Sequence, residues 1–161
     1  MADDKRNAAG VAPPEWPDLS GRLEDFGHVL PIRVYYEDTD FSGLVYHASY
    51  IRWCERGRSD YVRLLGLQQK ALFEDKSGKG SVFFVVRRME LDYLRPAMMD
   101  DVLEVITEVS EMGTASITLS QKVCRGELVL FKASVIIVLL NEQGRPQRLN
   151  EAIKRAFDPA V

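Results

Sequence analysis

The sequence predicts an α+β domain in which one antiparallel sheet wraps around one long helix. Its 161 residues suit a single domain. One stretch repeats apolar residues at helical spacing, and later stretches alternate apolar with polar residues, as strands do. One helix covers only part of so long a sheet. The uncovered part is therefore predicted to associate with another copy of the chain.

The N-terminal region is predicted to be a tail that leads into one strand. Residues 1–27 contain three prolines and no sustained periodicity, so we expect a mobile tail there and a single domain over residues 28–161. Ile32–Tyr36 is rich in β-branched and aromatic residues and predicts a strand. Glu37–Gly43 combines acids with Thr, Ser and Gly and predicts a loop.

The long helix is predicted over Ala48–Leu65. Its apolar stripe consists of Tyr50, Cys54, Gly57, Tyr61, Leu64 and Leu65. Glycine inside a helix costs about 1 kcal/mol, and a close approach between helix and sheet would explain Gly57. Gly66 is a stop signal, and Leu67–Glu74 predicts a short second helix.

Four strands and a terminal helix complete the predicted domain. The strands are Ser81–Leu94, Val102–Ser110, Ser116–Cys124 and Leu128–Leu140. The first three alternate with a period of two, and the last is apolar on both faces, as a central strand is. Asn150–Phe157 predicts a short helix with Asn150 as its N-cap.

Composition and charge exclude several classes of function. The chain has 21 basic and 24 acidic residues, a formal charge of −3, which excludes nucleic-acid binding by bulk positive charge. Two cysteines and two histidines argue against a disulfide scaffold and a His-rich metal centre. The longest apolar run, Val135–Leu140, is far shorter than the about 20 residues of a membrane span. Since the first residues also carry no secretory signal, we expect a cytoplasmic protein without membrane insertion.

Reactive residues concentrate in Tyr35–Tyr50, between the first predicted strand and the long helix. Asp38, Asp40 and His47 lie within this stretch. The predicted helix start near His47 directs free backbone N–H groups and the positive end of the helix dipole towards the loop. Such groups stabilise a carbonyl oxygen that becomes negative, and a nearby carboxylate could attack the carbonyl carbon or activate water. The stretch therefore favours acyl-group chemistry.

The same region resembles a known family motif. Residues 33–66 read RVYYEDTDFSGLVYHASYIRWCERGRSDYVRLLG. This stretch resembles the motif of hotdog-fold acyl-CoA thioesterases of the 4-hydroxybenzoyl-CoA thioesterase type, and within them the tol-pal system-associated acyl-CoA thioesterases of bacteria. The resemblance runs from Pro31 to Phe157. The fold that it implies, one helix wrapped by a five- or six-stranded antiparallel sheet, agrees with the pattern above.

The resemblance implies catalytic roles for Asp40 and His47. Its D-x-D-x-x-G order assigns Asp40 as the nucleophile, which would form an acyl-aspartyl anhydride, or as the general base for water. His47 would orient substrate or water, and a backbone N–H near it would polarise the thioester carbonyl. The expected substrate-binding residues are Tyr36, Gly43, Val45, Tyr46, Glu55, Arg87 and Arg88. The two arginines suit the phosphates of coenzyme A, although a solvated strand face would explain them equally well.

Other residues have structural interpretations or depart from the family pattern. Asp38 is interpreted as an acid that braces the loop through hydrogen bonds. Glu55 is interpreted as one member of an ion pair with neighbouring arginines, and Cys54 as a small buried apolar residue. Relatives often carry Ala-Gly where this chain has Phe41–Ser42. A phenylalanine at this place would reshape the acyl pocket.

The predicted function is hydrolysis of acyl-CoA to a free acid and coenzyme A. No metal and no cofactor is expected, because coenzyme A is part of the substrate. The expected partners are a second copy, as a homodimer or a dimer of dimers, and an acyl carrier protein. One alternative is a module that binds acyl-CoA or acyl carrier protein in an envelope or lipid-synthesis complex with little turnover. Another is a metal-dependent hydrolase at Asp38, Asp40 and His47, for which the sequence supplies no clear further ligand.

Overall fold

A six-stranded antiparallel sheet forms the frame of the domain. The computed structural model describes residues 21–67 and 80–158. The strands are β1 (Arg22–Glu24), β2 (Gly27–Arg33), β3 (Val82–Tyr93), β4 (Val102–Met112), β5 (Ser116–Arg125) and β6 (Leu128–Asn141). They pair in the order β1-β2-β4-β5-β6-β3, so β1 and β3 are the edge strands. The apolar β6 lies inside the sheet, between β5 and β3, as its sequence predicted.

The long helix α1 (His47–Leu64) packs against this sheet and contacts β1, β2, β4 and β5. Four residues of the predicted stripe are buried, Tyr50, Cys54, Gly57 and Tyr61, whereas Leu64 and Leu65 are half-buried. A Cβ atom at Gly57 would lie 3.0 Å from Cγ1 of Val105 on β4. The helix therefore approaches the sheet so closely at this position that any side chain would crowd it.

A polar crosslink joins α1 to the middle of the sheet. Gln121 of β5 is fully buried, and its Nε2 donates to the Cys54 carbonyl and to Oγ1 of Thr107, each at 2.9 Å. Its Oε1 accepts a hydrogen bond from Nη1 of Arg58 at 2.7 Å. Because all the polar atoms of this amide have partners, its burial is well compensated.

Asp60 of α1 forms hydrogen bonds that connect the start of the described chain to this helix. Its carboxylate accepts the N–H of Gly21 at 2.7 Å and is paired with Arg63. Nε2 of the fully buried His28 lies 2.7 Å from Oδ2 of Asp60, and the His28 ring stacks on Tyr61. Burial lowers the pKa of His28 against the opposing effect of Asp60. The imidazole is therefore held neutral near pH 7.

A short second helix, α2 (Glu151–Phe157), closes the domain after β6. Oδ1 of Asn150 accepts the N–H of Ile153 at 2.8 Å, which confirms the predicted N-cap. Ile153 and Phe157 are buried and join the core with Leu149.

The structure differs from the sequence prediction in the N-terminal region. Residues 21–27, expected in a tail, include β1 and the turn into β2, whose register pairs Arg22 with Val29. The strand expected to end at Tyr36 ends at Arg33, and Tyr36 instead begins a 3-10 turn. Residues 1–20 and most of the expected helix at 67–74 lie outside the described residues. Neither helix of the described ranges is long and apolar enough to cross a membrane.

Candidate active site

The segment between β2 and α1 forms a compact loop that backbone hydrogen bonds hold. Thr39 pairs with Val45, and inside this pair the Asp40 N–H donates to the Leu44 carbonyl at 3.0 Å. The Gly43 N–H donates to the Asp40 carbonyl at 3.0 Å. Gly43 has a φ of 77°, a left-handed conformation that favours glycine. The backbone path that presents Asp40 therefore depends on the glycine of the motif.

The carboxylate of Asp40 is exposed at the tip of this loop. Its Oδ1 accepts the backbone N–H of Ser42 at 2.8 Å and the Ser42 hydroxyl at 2.5 Å. These two donors, with a smaller effect of His47, lower the pKa of Asp40. The group is thus ionised at neutral pH. Within the described chain no hydrogen bond reaches Oδ2, so this oxygen is the one available to a substrate or a water molecule.

The start of α1 lies beside this loop. Tyr46 is the N-cap residue but makes no side-chain capping bond, and the first turn contains no acidic residue. The first backbone N–H groups and the helix dipole are therefore available to a negatively charged oxygen. His47 is exposed, and its ring lies 4.3 Å from the Tyr46 ring and 6.4 Å from the Tyr93 ring.

Two tyrosines, the buried Tyr50 and the partly exposed Tyr93, hold the loop and the helix start in place. The Tyr50 hydroxyl accepts the N–H of Ala97 at 2.8 Å, and the Ala97 carbonyl accepts the N–H of Val45 at 2.9 Å. The Tyr50 ring stacks on Phe131 of β6. The Tyr93 hydroxyl donates to the backbone carbonyl of His47 at 3.0 Å. The position of the site thus depends on contacts to β3, β6 and the segment after β3.

Asp38 has the structural role that was predicted as its simplest interpretation. Its side chain accepts the N–H of Tyr35 at 3.0 Å, and its carbonyl accepts the N–H of Tyr46 at 2.8 Å and the Ser49 hydroxyl at 3.3 Å. The residue is buried. Asp38 therefore braces the loop, and Asp40 is the carboxylate that faces solvent.

The predicted substrate-binding residues of the loop differ in their surroundings. Tyr36 and Tyr46 are exposed, and Gly43 makes the turn described above. Val45 was expected in the substrate-binding set, but its side chain is buried in the hydrophobic core. Phe41, in the same loop, is fully exposed beside Asp40. The exposed apolar side chains of this loop are therefore those of Phe41 and Leu44, and that of Val45 is covered.

Glu55, Arg87 and Arg88 lie away from Asp40 within one chain. Glu55 is eight residues along α1 from His47, about 12 Å, and it accepts a hydrogen bond from the Ser59 hydroxyl at 2.6 Å. Arg87 lies in a bulge of β3, and Arg88 follows it, roughly 17 Å along the strand from Tyr93. Arg88 pairs with Glu90 at 2.6 Å. A single copy of the chain does not bring these predicted residues together with the loop.

Two residues of the site were not predicted from the sequence. Ser42 was noted as a departure from the family pattern, yet it supplies both hydrogen bonds to Asp40. An aspartate followed two residues later by serine is a common turn signal that could have indicated this contact. Tyr93 is distant in sequence, and only the pairing of β3 with β6 brings it to His47.

Within the part of the chain that the structure describes, Cys54 and the acidic residues offer no thiol nucleophile and no metal site. Burial raises the pKa of the Cys54 thiol to about 12, so it is inert as a nucleophile. Among residues 21–67 and 80–158, no group of three or more His, Cys, Asp or Glu side chains is placed to hold a metal ion.

The architecture and the site define the class of protein. One long helix against a six-stranded antiparallel sheet is the hotdog fold. The sequence profile described as Thioesterase superfamily matches residues 42–132, more than half of the chain. The chain therefore belongs to the thioesterase superfamily, and it is a hotdog-fold thioester hydrolase.

Individual relatives agree with this assignment. The acyl-CoA thioesterase YbgC of Haemophilus influenzae is 40% identical over 134 residues, which cover 83% of this chain and 96% of the relative. The probable thioesterase of Bartonella henselae superposes with a TM-score of 0.73 at 43% identity, over 77% of this chain and 99% of that structure. A thioesterase of Thermus thermophilus, solved with coenzyme A and Zn, has a TM-score of 0.69 at 27% identity. The match covers 81% of this chain and 92% of that one.

Proposed function

We propose that the protein hydrolyses acyl-CoA thioesters to a free carboxylic acid and coenzyme A, with Asp40 as the reacting carboxylate. The observation that carries this proposal is an ionised, exposed aspartate beside an uncapped helix start in a thioesterase-superfamily chain. The named activity of the YbgC relative at 40% identity supports the choice of acyl-CoA as the substrate class.

Asp40 can act in two ways that end in the same products. As a nucleophile, Oδ2 attacks the thioester carbon and expels the thiolate of coenzyme A. Water then hydrolyses the resulting acyl-aspartyl anhydride and regenerates the carboxylate. As a general base, Asp40 removes a proton from a water molecule that attacks the same carbon. In both cases one water is consumed: its oxygen enters the carboxylic acid, and one of its protons converts the expelled thiolate into the thiol of coenzyme A.

The helix start stabilises the charge that develops on the carbonyl oxygen. The first N–H groups of α1 have no side-chain acceptor from Tyr46, so they can donate to the oxyanion. His47 lies at the same place and orients the substrate or the water molecule. Tyr93 holds the backbone of this first turn through its bond to the His47 carbonyl.

We propose that the active species is a homodimer or a dimer of dimers, formed through the edge of β3. This strand pairs only with β6 in the described chain and leaves its other edge free. Antiparallel pairing of two β3 strands about their centres would place Val82 of the second copy beside Tyr93, and so close to His47. Arg87 and Arg88 would then lie in the shared surface, where they can bind the phosphates of coenzyme A.

The remaining parts of the proposal concern cofactors and cellular role. No metal is required for either mechanism, and activity is expected to persist in EDTA. We propose a bacterial cytoplasmic enzyme related to the tol-pal-associated thioesterases, for which an acyl carrier protein is a second candidate acyl donor.

The decisive experiment measures release of free thiol from short, long and aromatic acyl-CoAs. Wild type is compared with Asp40→Asn, which keeps the shape of the side chain and removes its charge. The expected loss is about 10²-fold or more. Asp25→Asn, at an exposed aspartate in the turn between β1 and β2, is the matched control and should retain full activity.

Two results would reject the proposal. A folded wild type that turns over none of the acyl-CoAs would favour a module that binds acyl-CoA or acyl carrier protein. Equal activity of wild type and Asp40→Asn would remove Asp40 from the mechanism while leaving the hydrolase assignment intact.

A further inference from the structure

A groove of about 690 Å³ lies at the end of the domain where α1 stops. It is bounded by the turn between β1 and β2, the last residues of α1 and α2, and the end of β4. The first and last residues of α1, His47 and Leu64, are about 26 Å apart along the helix. The groove is therefore separate from the candidate active site, which lies at the start of α1.

The groove has an apolar floor and partly exposed apolar walls. Tyr61 and Phe157 are buried at its base, and their rings meet edge to face with centroids 5.7 Å apart. Leu23 and Phe26, from β1 and the turn that follows it, line the groove and are 46% and 52% exposed. Exposed apolar side chains around a concave surface are typical of sites that bind another molecule.

The charged side chains that line the groove are all acidic. Among the described residues, four carboxylates line it and no lysine, arginine or histidine does. The carboxylates belong to Glu24, Asp25, Glu111 and Asp158. Arg22 lies outside the lining, pairs with Glu24 at 2.5 Å and offsets part of this charge. The electronegative C-terminal end of α1 lies at the same place. The groove therefore favours a positively charged ligand.

One wall of the groove is a strand edge. The pairing of β2 with β4 stops at His28 and Thr107. Beyond this point, over residues 109–112, β4 pairs only with β5 within the described chain. Those residues line the groove, so the second edge of β4 presents backbone N–H and C=O groups there. An extended peptide satisfies such groups when it adds to the sheet as a further strand.

We propose that this groove binds a short, extended, basic segment of a partner protein, which adds to the second edge of β4. The lysine or arginine side chains of the segment would meet the carboxylates of Asp25 and Glu111, and an apolar side chain would pack on Phe26 and Tyr61. Four residues of an extended chain span about 13 Å, which matches the four edge residues 109–112. The inference goes beyond the proposed thioesterase activity, because the groove contains no residue of the Asp40 loop or of the start of α1.

Peptide binding to the full chain tests the groove without any turnover. The probe is a fluorescein-labelled pentapeptide, KFKLK, with capped ends, and its binding is followed by fluorescence anisotropy at low salt. The neutral peptide SFSLS and the acidic peptide EFELE are the controls of charge. KFKLK should bind at least about tenfold more tightly than SFSLS, and added salt should reduce this preference. A KFKLK peptide that is N-methylated at alternate residues cannot add as a strand and should bind at least about tenfold more weakly than the unmodified one.

Variants of the groove locate the binding site. Asp25→Asn combined with Glu111→Gln should abolish the preference for KFKLK over SFSLS, because both carboxylates are exposed at the groove. Phe26→Ser should weaken the binding of both peptides. Glu127→Gln is the matched control, since Glu127 is an exposed acid in the turn between β5 and β6, at the opposite end of these strands. All the substituted side chains are exposed, and urea midpoints equal to wild type verify that the variants fold.

Several results would overturn the proposal. These are equal binding of KFKLK and SFSLS, no binding of KFKLK, undiminished binding of the N-methylated peptide, or an unchanged preference in the double variant. Sedimentation of Phe26→Ser provides a separate test: a smaller assembly than wild type would make the groove an interface between copies of this chain. If KFKLK binds as expected but no thioester is hydrolysed, the groove is supported while the proposed function fails.

Discussion

Enlarging Gly57 tests the close packing of α1 on the sheet. A Cβ atom there would lie 3.0 Å from Cγ1 of Val105, 3.2 Å from Oγ1 of Thr107 and 3.5 Å from Nε2 of Gln121. In Gly57→Ala, overpacking costs about 1–3 kcal/mol, while the gain in helix propensity returns about 1 kcal/mol. We expect a net loss between about 0 and 2 kcal/mol.

Gly57→Val should be clearly worse. Its two methyl groups have no room beside Val105 and Thr107, and they would push on the buried Gln121 amide. We expect a loss of about 3 kcal/mol or more.

Urea unfolding measures both variants, with the fluorescence of the buried Trp53 and far-UV circular dichroism as two independent signals. Arg56→Ala, at an exposed position of the same helix, is the control. If Gly57→Val were as stable as wild type, the close approach of α1 to β4 would be wrong.

Three further predictions concern the loop, the N-terminal clamp and α2. Ser42→Ala removes the hydroxyl that lowers the pKa of Asp40, so the acid limb of the kcat/KM profile should move to higher pH; an unmoved limb would contradict the assigned contact. Burial lowers the pKa of His28 in the folded state, so the unfolded chain binds a proton first as pH falls below about 6.5. Stability should therefore decrease with acid between that pH and the folded pKa of His28, and urea midpoints should show a weaker slope in His28→Asn. Asp60, whose pKa is also lowered, acts in the same direction at lower pH. Asn150→Ala removes the cap of α2 and should cost about 1 kcal/mol in urea unfolding, whereas Asn150→Asp should cost little.

The sequence was sufficient for elements whose signal is local. The stripe of α1, the alternating strands and the Asn150 cap are all set by near neighbours in the chain, and the structure confirms them. The predicted end of the first strand was wrong. Tyr35 and Tyr36 have strand propensity, but they lie in a turn that Asp38 braces. In that turn the hydrogen bond between the Tyr35 N–H and the Asp38 side chain outweighs the strand preference of the tyrosines.

The sequence patterns could not predict contacts between segments that are distant in the chain. Tyr93 contacts His47 only because of the register of β3. Gln121 is hydrogen-bonded to Arg58 although 63 residues separate them in the chain. The family resemblance pointed to Asp40 and His47 but could not indicate that Glu55 and the β3 arginines lie far from them in one chain.

The construction of the Asp40 loop has a consequence for how such enzymes diversify. Main-chain atoms of Thr39, Leu44 and Val45 hold the loop, and the fully exposed Phe41 contributes nothing to that framework. Under the proposed function, a substitution at position 41 would therefore change the surface beside the reacting carboxylate while leaving that carboxylate in place. Single substitutions at this position would therefore alter the range of substrates without destabilising the fold.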